Sequence, residues 1–368
     1  NPTLKPLILN LVAASQNTDQ FFETISKSRA EMFENILGTR GPDCRPGDEF
    51  GPFRVIDDLG KGGTSSVYRA ERTGAVFDQT VAIKVLHNVT PSSKEHASFA
   101  NECQALSRLS HPGITRIIDG GETEDGLLWL AMDLIEGERL DAYCIQKQLP
   151  IQERLALCLQ LGDALAYAHS NLTLHLDIKP ANVLVDEAGW ARLTDFGLAA
   201  MLMDDESPGL SVQALTPAYA APEQLSGGMC SVQTDVFQFG SLCRHILTGV
   251  APSDAADHNA IPPSLQAQSP VDRRYLSGDL DAILLKAQAP APEDRYTSIA
   301  SMVDDLRRFD QKLPISLSER PWIDFAGSLI RRNPWLSGLA ALVLVSIGGW
   351  AITGQTLSVL YQHERDKA

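Results

Sequence analysis

Two short blocks constrain this 368-residue chain more than any other feature: His175-Leu176-Asp177-Ile178-Lys179-Pro180-Ala181-Asn182-Val183-Leu184-Val185 and Leu193-Thr194-Asp195-Phe196-Gly197. Asp177 and Asn182 stand five residues apart, and Asp195 follows thirteen residues after Asn182. That spacing suits a loop, a short apolar hairpin and a second loop bearing a carboxylate. Whatever else the chain does, its fold has to hold these two loops together.

The chain is long enough to bury a large core and carry appendages. Its 44% hydrophobic and 21% charged residues argue against long disorder. A net charge of -15 leaves no basic face for a phosphate backbone, so nucleic acid is not expected as a partner. The six cysteines are scattered, without a C-x-x-C pair or zinc-ligand spacing, and suit a reducing cytosol. The chain opens on Asn1 without a secretion pattern and reads as a fragment or processed form.

Residues 1–46 carry Phe21, Phe22, Ile25, Met32, Phe33, Ile36 and Leu37 close to the rhythm of an amphipathic helix, and Gly41-Pro42 and Pro46-Gly47 mark a linker. The main domain is expected over 47–313. Short strands at Phe53–Ile56, Ser66–Ala70 and Thr80–Lys84 and one helix near 94–109 make 53–135 a small sheet lobe, and helical periodicity makes 136–313 a helical lobe. After a linker over 314–333, residues 335–354 form an apolar run, with no charge between Arg332 and His363. A hydrocarbon core of ~30 Å needs roughly 20 such residues. Trp335, Trp350 and Arg331-Arg332 fit a single membrane span with the main domain on the cytoplasmic side, and residues 355–368 start a region beyond the membrane. A buried core helix is the alternative reading of the run.

Three further motifs bear on chemistry. Leu59-Gly60-Lys61-Gly62-Gly63-Thr64-Ser65-Ser66-Val67 reads as strand, glycine turn, strand, which lets backbone N–H groups approach phosphate oxygens; an ordinary hairpin turn would look the same. Lys84 closes the apolar strand Val81-Ala82-Ile83-Lys84 seventeen residues after Val67, as either a snorkelling edge residue or a phosphate cation. Glu102 shares a helical face with Leu106 and Leu109, which aims its carboxylate inward; a surface glutamate is the plain alternative.

Together with Ala221-Pro222-Glu223, these motifs resemble the eukaryotic-type (Hanks-type) protein kinase family over about residues 53–310: glycine loop, V-A-I-K, H-x-D-x-x-x-x-N, D-F-G and A-P-E in order. The resemblance implies an α+β, two-lobed protein kinase fold, with a sheet lobe carrying helix C and a larger helical lobe, here followed by the C-terminal transmembrane helix. It implies that Asp177 is the catalytic base and that Lys179 neutralises charge on the transferring phosphoryl group. Asn182 and Asp195 would hold Mg2+, and Lys84, steadied by Glu102, would hold the α- and β-phosphates of ATP. Leu59, Gly60 and Gly62 would cover the nucleotide. Val67, Ala82 and Leu184 would sandwich the adenine, Met132 would gate its pocket, and the backbones of Asp133 and Ile135 would meet its edge. Asp235 resembles the family's central buried helix, and Arg295 would pair with Glu223.

Lys179 and Thr216 resemble the serine/threonine branch, so the implied activity is transfer of the ATP γ-phosphate to protein Ser/Thr hydroxyls. Leu176 departs from the family's arginine beside the base, which puts activation by phosphorylation of the segment 199–215 in doubt. Arg192 is the candidate substitute for that arginine. A pseudokinase scaffold would be expected to have lost one of Lys84, Glu102, Asp177, Asn182 and Asp195, and none is lost. A small-molecule phosphotransferase lacks the long activation segment and A-P-E, both present here. The arrangement is similar to membrane-anchored bacterial receptor-like kinases, with ATP and protein substrates as partners and a homodimer as an open option.

Overall fold

Val81, Ile83 and Val85 alternate with Ala82, Lys84 and Leu86, and a strand sends such alternating side chains to opposite faces. In the computed structural model, which describes residues 44–62, 65–74, 77–87, 103–196, 217–252 and 261–317, all six are buried within one strand. The described chain falls into two units, one ending at Glu136 and one that begins at Gly137.

The first unit is an antiparallel sheet of β1 (Glu49–Phe50), β2 (Phe53–Lys61), β3 (Ser65–Arg72), β4 (Thr80–Leu86), β5 (Ile117–Glu122) and β6 (Leu128–Asp133), in the order β1-β2-β3-β4-β6-β5. One face packs Phe53, Val55, Tyr68, Ile83, Val85 and Trp129; the other packs Ala82, Leu86, Leu128, Leu130 and Met132. Burial on both faces explains why β4 reads as a nearly continuous apolar run. Of the helix expected near 94–109, the described part begins at Cys103, is helical over 103–106, and buries Leu106 and Leu109.

The second unit opens with β7 (Gly137–Arg139), which joins β8 (Val183–Asp186) and β9 (Ala191–Leu193) in a small sheet ordered β7-β8-β9. Its helices are α1 (Leu140–Gln146), α2 (Ile151–Ser170), α3 (Pro222–Leu225), α4 (Val232–Thr248), α5 (Pro263–Gln266), α6 (Pro270–Leu276), α7 (Asp279–Ala287) and α8 (Ile299–Asp310). Helix α8 buries Ile299, Met302, Val303 and Leu306, the i, i+3, i+4, i+7 stripe. Each such side chain contributes about 1.5–3 kcal/mol on burial, far more than the tenths that separate helix propensities, so the stripe decides the helix.

Helix α4 is buried almost along its whole length. It starts at a capping box, in which the Ser231 side chain accepts the Gln233 N–H while Thr234 Oγ1 accepts the Ser231 N–H. Two glycines let the helices close on one another. A Cβ at Gly162 would collide with Val303 of α8, and one at Gly240 would lie 2.8 Å from the Ala287 Cβ of α7. Helix α4 therefore serves as the post against which the loops of the second unit are set.

Among the described residues no helix is long and apolar enough to cross a membrane. The expected N-terminal helix with its residues 21–37 and the apolar run 335–354 lie outside the described residues, as do Glu102, Thr216 and the segment 199–215.

Candidate active site

In the first unit the register β3-β4-β6 sets Val67 opposite Lys84 and Lys84 opposite Leu130, with Ala82 opposite Met132. Directly opposed residues of antiparallel strands share a face, so Val67, Ala82, Lys84 and Met132 lie together on one side of the sheet. Lys84 is only 7% exposed, which makes it a buried cation rather than a snorkelling edge residue. Leu59 and Gly60 lie near the end of β2, and the Gly62 N–H donates to the Ser65 carbonyl at 2.8 Å. The Asp133 N–H is taken by the Arg116 carbonyl at 3.0 Å, and Ile135 is half-buried.

In the second unit the loop after α2 brings Asp177, Lys179 and Asn182 together. Lys179 Nζ lies 2.7 Å from Asp177 Oδ2, and Asn182 Nδ2 donates to the same oxygen at 2.9 Å and to the Asp177 carbonyl at 2.8 Å. With its amide nitrogen committed to Asp177, Asn182 turns its side-chain carbonyl oxygen elsewhere, the end that a hard cation takes. Leu184 follows on β8, half-buried and opposite Arg139 and Arg192.

Asp195 sits just past β9 with φ of +64°. His175 links the two loops. Its Nε2 lies 3.0 Å from the Thr194 carbonyl, which can only accept, so the ring proton is on Nε2. Its ring also packs 4.5 Å from that of Phe196. Among the described residues no group of three or more His, Cys, Asp or Glu side chains could hold a metal alone. The oxygens of Asn182 and Asp195 fit a Mg2+ that completes its shell with phosphate and water.

What holds this loop in place was only partly anticipated. Asp235, fully buried on α4, accepts the His175 N–H and the Leu176 N–H, both at 2.8 Å, and the His169 Nε2 at 2.7 Å. Gln238, one turn further, accepts the Ile178 N–H at 2.9 Å and donates to the Leu176 carbonyl at 3.0 Å; Gln224 donates to the same carbonyl at 2.9 Å. Leu176 therefore stays at φ of +62°, where a residue with a Cβ loses roughly 1–2 kcal/mol. Charge-assisted hydrogen bonds of about 1.5–3 kcal/mol each more than offset that strain. Gln224, Gln238 and His169 escaped the sequence reading. The one available signal was a glutamine inside the apolar run Val236-Phe237-Gln238-Phe239.

The implied pair is formed: Arg295 meets Glu223 in a bidentate contact at 2.7 and 2.8 Å, and Thr234 Oγ1 adds a bond at 2.8 Å. Burial pushes the Glu223 carboxyl up, but these hydrogen bonds and the guanidinium charge hold it below the usual carboxylate range. Arg192, the candidate substitute for the missing arginine, places its guanidinium on Asp186 at 3.2 Å.

A small antiparallel sheet with a buried lysine, and a helical unit whose central helix grips an Asp-Lys-Asn loop, are features of a kinase. The protein kinase domain family model matches residues 53–319, and the chain belongs to this family, in its Hanks-type serine/threonine branch. It is 33% identical over 263 residues to the serine/threonine-protein kinase PrkC of Bacillus subtilis, covering 70% of this chain and 40% of that protein. It is 32% identical over 270 residues to PknH of Mycobacterium tuberculosis, covering 71% and 42%. The crystal structure of the Mycobacterium tuberculosis PknI kinase domain superposes with a TM-score of 0.58 at 28% identity, covering 73% of this chain and 99% of that one. The chain thus spans less than half the length of either of these curated relatives.

Proposed function

We propose that the chain is an ATP-dependent serine/threonine protein kinase. The observation that carries this reading is the Asp177 carboxylate, gripped by Lys179 at 2.7 Å and Asn182 at 2.9 Å on a loop anchored to a buried helix. Asp177 accepts the substrate hydroxyl proton as the oxygen attacks, and Lys179 balances charge on the transferring phosphoryl group. Lys84, with Glu102, holds the α- and β-phosphates; Leu59, Gly60, Gly62, Val67, Ala82, Met132, Asp133, Ile135 and Leu184 hold the rest of ATP. Asn182 and Asp195 would hold Mg2+, which when bound neutralises phosphate charge. Because phosphoryl transfer needs little covalent help, positioning and charge supply most of the acceleration.

Membrane linkage belongs to the same proposal. The kinase domain over 47–313 is followed by a basic linker and a span over 335–354, supported by the uncharged run and Arg331-Arg332. Full-length protein that fractionates as soluble without detergent would remove the span.

The activity is tested with labelled ATP, Mg2+ and a protein acceptor. Asp177→Asn should bind ATP normally yet lose turnover, whereas Asp195→Asn should lose Mg2+-dependent nucleotide binding. Near-normal turnover of Asp177→Asn at saturating ATP would overturn the assignment of the base.

A further inference from the structure

Past α8 the chain does not leave the second unit at once. Lys312 adopts a left-handed φ of +58°, and the Leu313 N–H then donates to the Arg308 carbonyl at 2.7 Å. Ile315 is buried, and Ser316 meets Asp305, so residues 313–317 run back along α8 as a strap. This strap is the start of the linker that leads to the apolar run, and the catalytic reading gives it no role.

Ser316 binds one carboxylate twice. Its N–H donates to Asp305 Oδ1 at 2.7 Å and its hydroxyl to Asp305 Oδ2 at 2.6 Å, while the Tyr296 hydroxyl donates to the same Oδ2 at 2.9 Å. Asp305 is only 1% exposed, so these donors replace the water that its charge has lost. Ser316, in contrast, is exposed. A hydroxyl at the surface therefore controls whether a buried carboxylate keeps its partners.

We propose that Ser316 is a phosphorylation site, filled from ATP, and that its phosphorylation breaks the Asp305 latch and frees the start of the linker. The Ser316 Oγ–H bond breaks, Oγ bonds the γ-phosphorus, and the bond from that phosphorus to the bridging oxygen of ADP breaks, with ADP keeping the electron pair; the proton passes to the catalytic base. The source of the phosphoryl group rests on the proposed kinase activity, whereas the latch does not. The product has lost the proton it gave to Asp305 and holds a charge of about −1.5 to −2 at pH 7 against a buried carboxylate. Arg308, which reaches the strap at the Pro314 carbonyl, is already paired with Asp304 at 2.8 Å, and Lys286 lies against the Tyr296 ring at 4.6 Å. Repulsion therefore prevails and the strap stays open. Opening lengthens the linker by residues 313–317, each spanning up to roughly 3.3–3.6 Å.

The test has two arms, both on the full chain. In the first, the protein is incubated with ATP and Mg2+ beside a basic protein acceptor, and the labelled residues are mapped. Ser316 and the acceptor should both be labelled by the parent and neither by Asp177→Asn. In the second, phosphoserine installed at position 316 during synthesis should speed amide exchange over 313–317 by roughly tenfold or more, with exchange in α4 unchanged. Ser316→Ala, which keeps the N–H bond to Asp305 and adds no charge, should speed it less. A labelled acceptor with Ser316 unlabelled would overturn the site alone, whereas label on neither would overturn the proposed activity and the phosphoryl source with it. Exchange that phosphoserine leaves unchanged, or speeds no more than Ser316→Ala does, would overturn the latch.

Discussion

The Asp235 carboxylate of α4 holds the Leu176 N–H at 2.8 Å, so the backbone beside Asp177 is fixed by a side chain 59 residues further along the chain. The same carboxylate holds the His175 N–H and the His169 ring; the two backbone bonds are buried and the one to His169 is partly buried. Replacing Asp235 by asparagine turns an amide N–H2 toward backbone donors. The loss should be roughly 2–5 kcal/mol of stability together with at least a tenfold drop in turnover. Urea unfolding and initial rates on a peptide acceptor check this, and a variant with wild-type values of both would show that the loop is held by other means.

Arg295 and Glu223 form a buried bidentate pair, and removing one partner strands the other. Glu223→Ala should lose about 3–5 kcal/mol of stability, whereas the double replacement with Arg295→Met should lose less than the sum of the two single changes. A double-mutant cycle by chemical denaturation measures the coupling. Additive losses would mean that the pair contributes nothing beyond its separate packing.

Two histidines predict a response to mild acid. Burial lowers the affinity of His87 for a proton, reinforced by Lys61 nearby, and burial does the same for His245, whose Nδ1 lies 2.7 Å from the Tyr219 hydroxyl. Arg139 adds to the effect on His245 and Asp141 opposes it. Unfolded histidine takes its proton near pH 6.5, the folded ones only at lower pH, so below about 6.5 the unfolded state binds more protons. Stability should be full above that pH and fall as pH drops from 6.5 toward 5.5. Urea midpoints at pH 7.5 and 5.5 measure the fall, and His87→Gln and His245→Gln should each flatten it.

Phosphorylation of the segment 199–215 should not be the main on-switch. Leu176 cannot pair with a phosphate, Arg192 is engaged by Asp186, and Asp204, Asp205 and Glu206 would repel one placed at Ser207 or Ser211. The paired replacement Ser207→Ala with Ser211→Ala should therefore keep the initial rate within tenfold, about 1.4 kcal/mol, of the phosphate-free parent. A greater loss, with activation only of the parent on phosphorylation, would restore the switch.

Much of this was legible in the order of residues. The Asp177, Lys179 and Asn182 cluster is set by spacing within one loop, and alternation along 80–86 put Lys84 and Ala82 on one face, because such short-range geometry follows from the backbone itself. Gln224, Gln238 and His169 were not legible. Gln224 and Gln238 meet the loop only across 48 and 60 residues of chain, and His169 meets Asp235 across 66, and a polar side chain carries no mark of which distant group it will satisfy.

By itself the sequence determined the chemistry: which donors, acceptors and cations the chain could bring to a phosphate, and in what local order. Tertiary structure alone decided that Leu176 adopts a left-handed conformation and that Asp235 turns its charge to backbone N–H groups. Those outcomes depend on which helices pack close enough to exclude water, and only in that dry interior is a hydrogen bond strong enough to hold a strained loop in one shape.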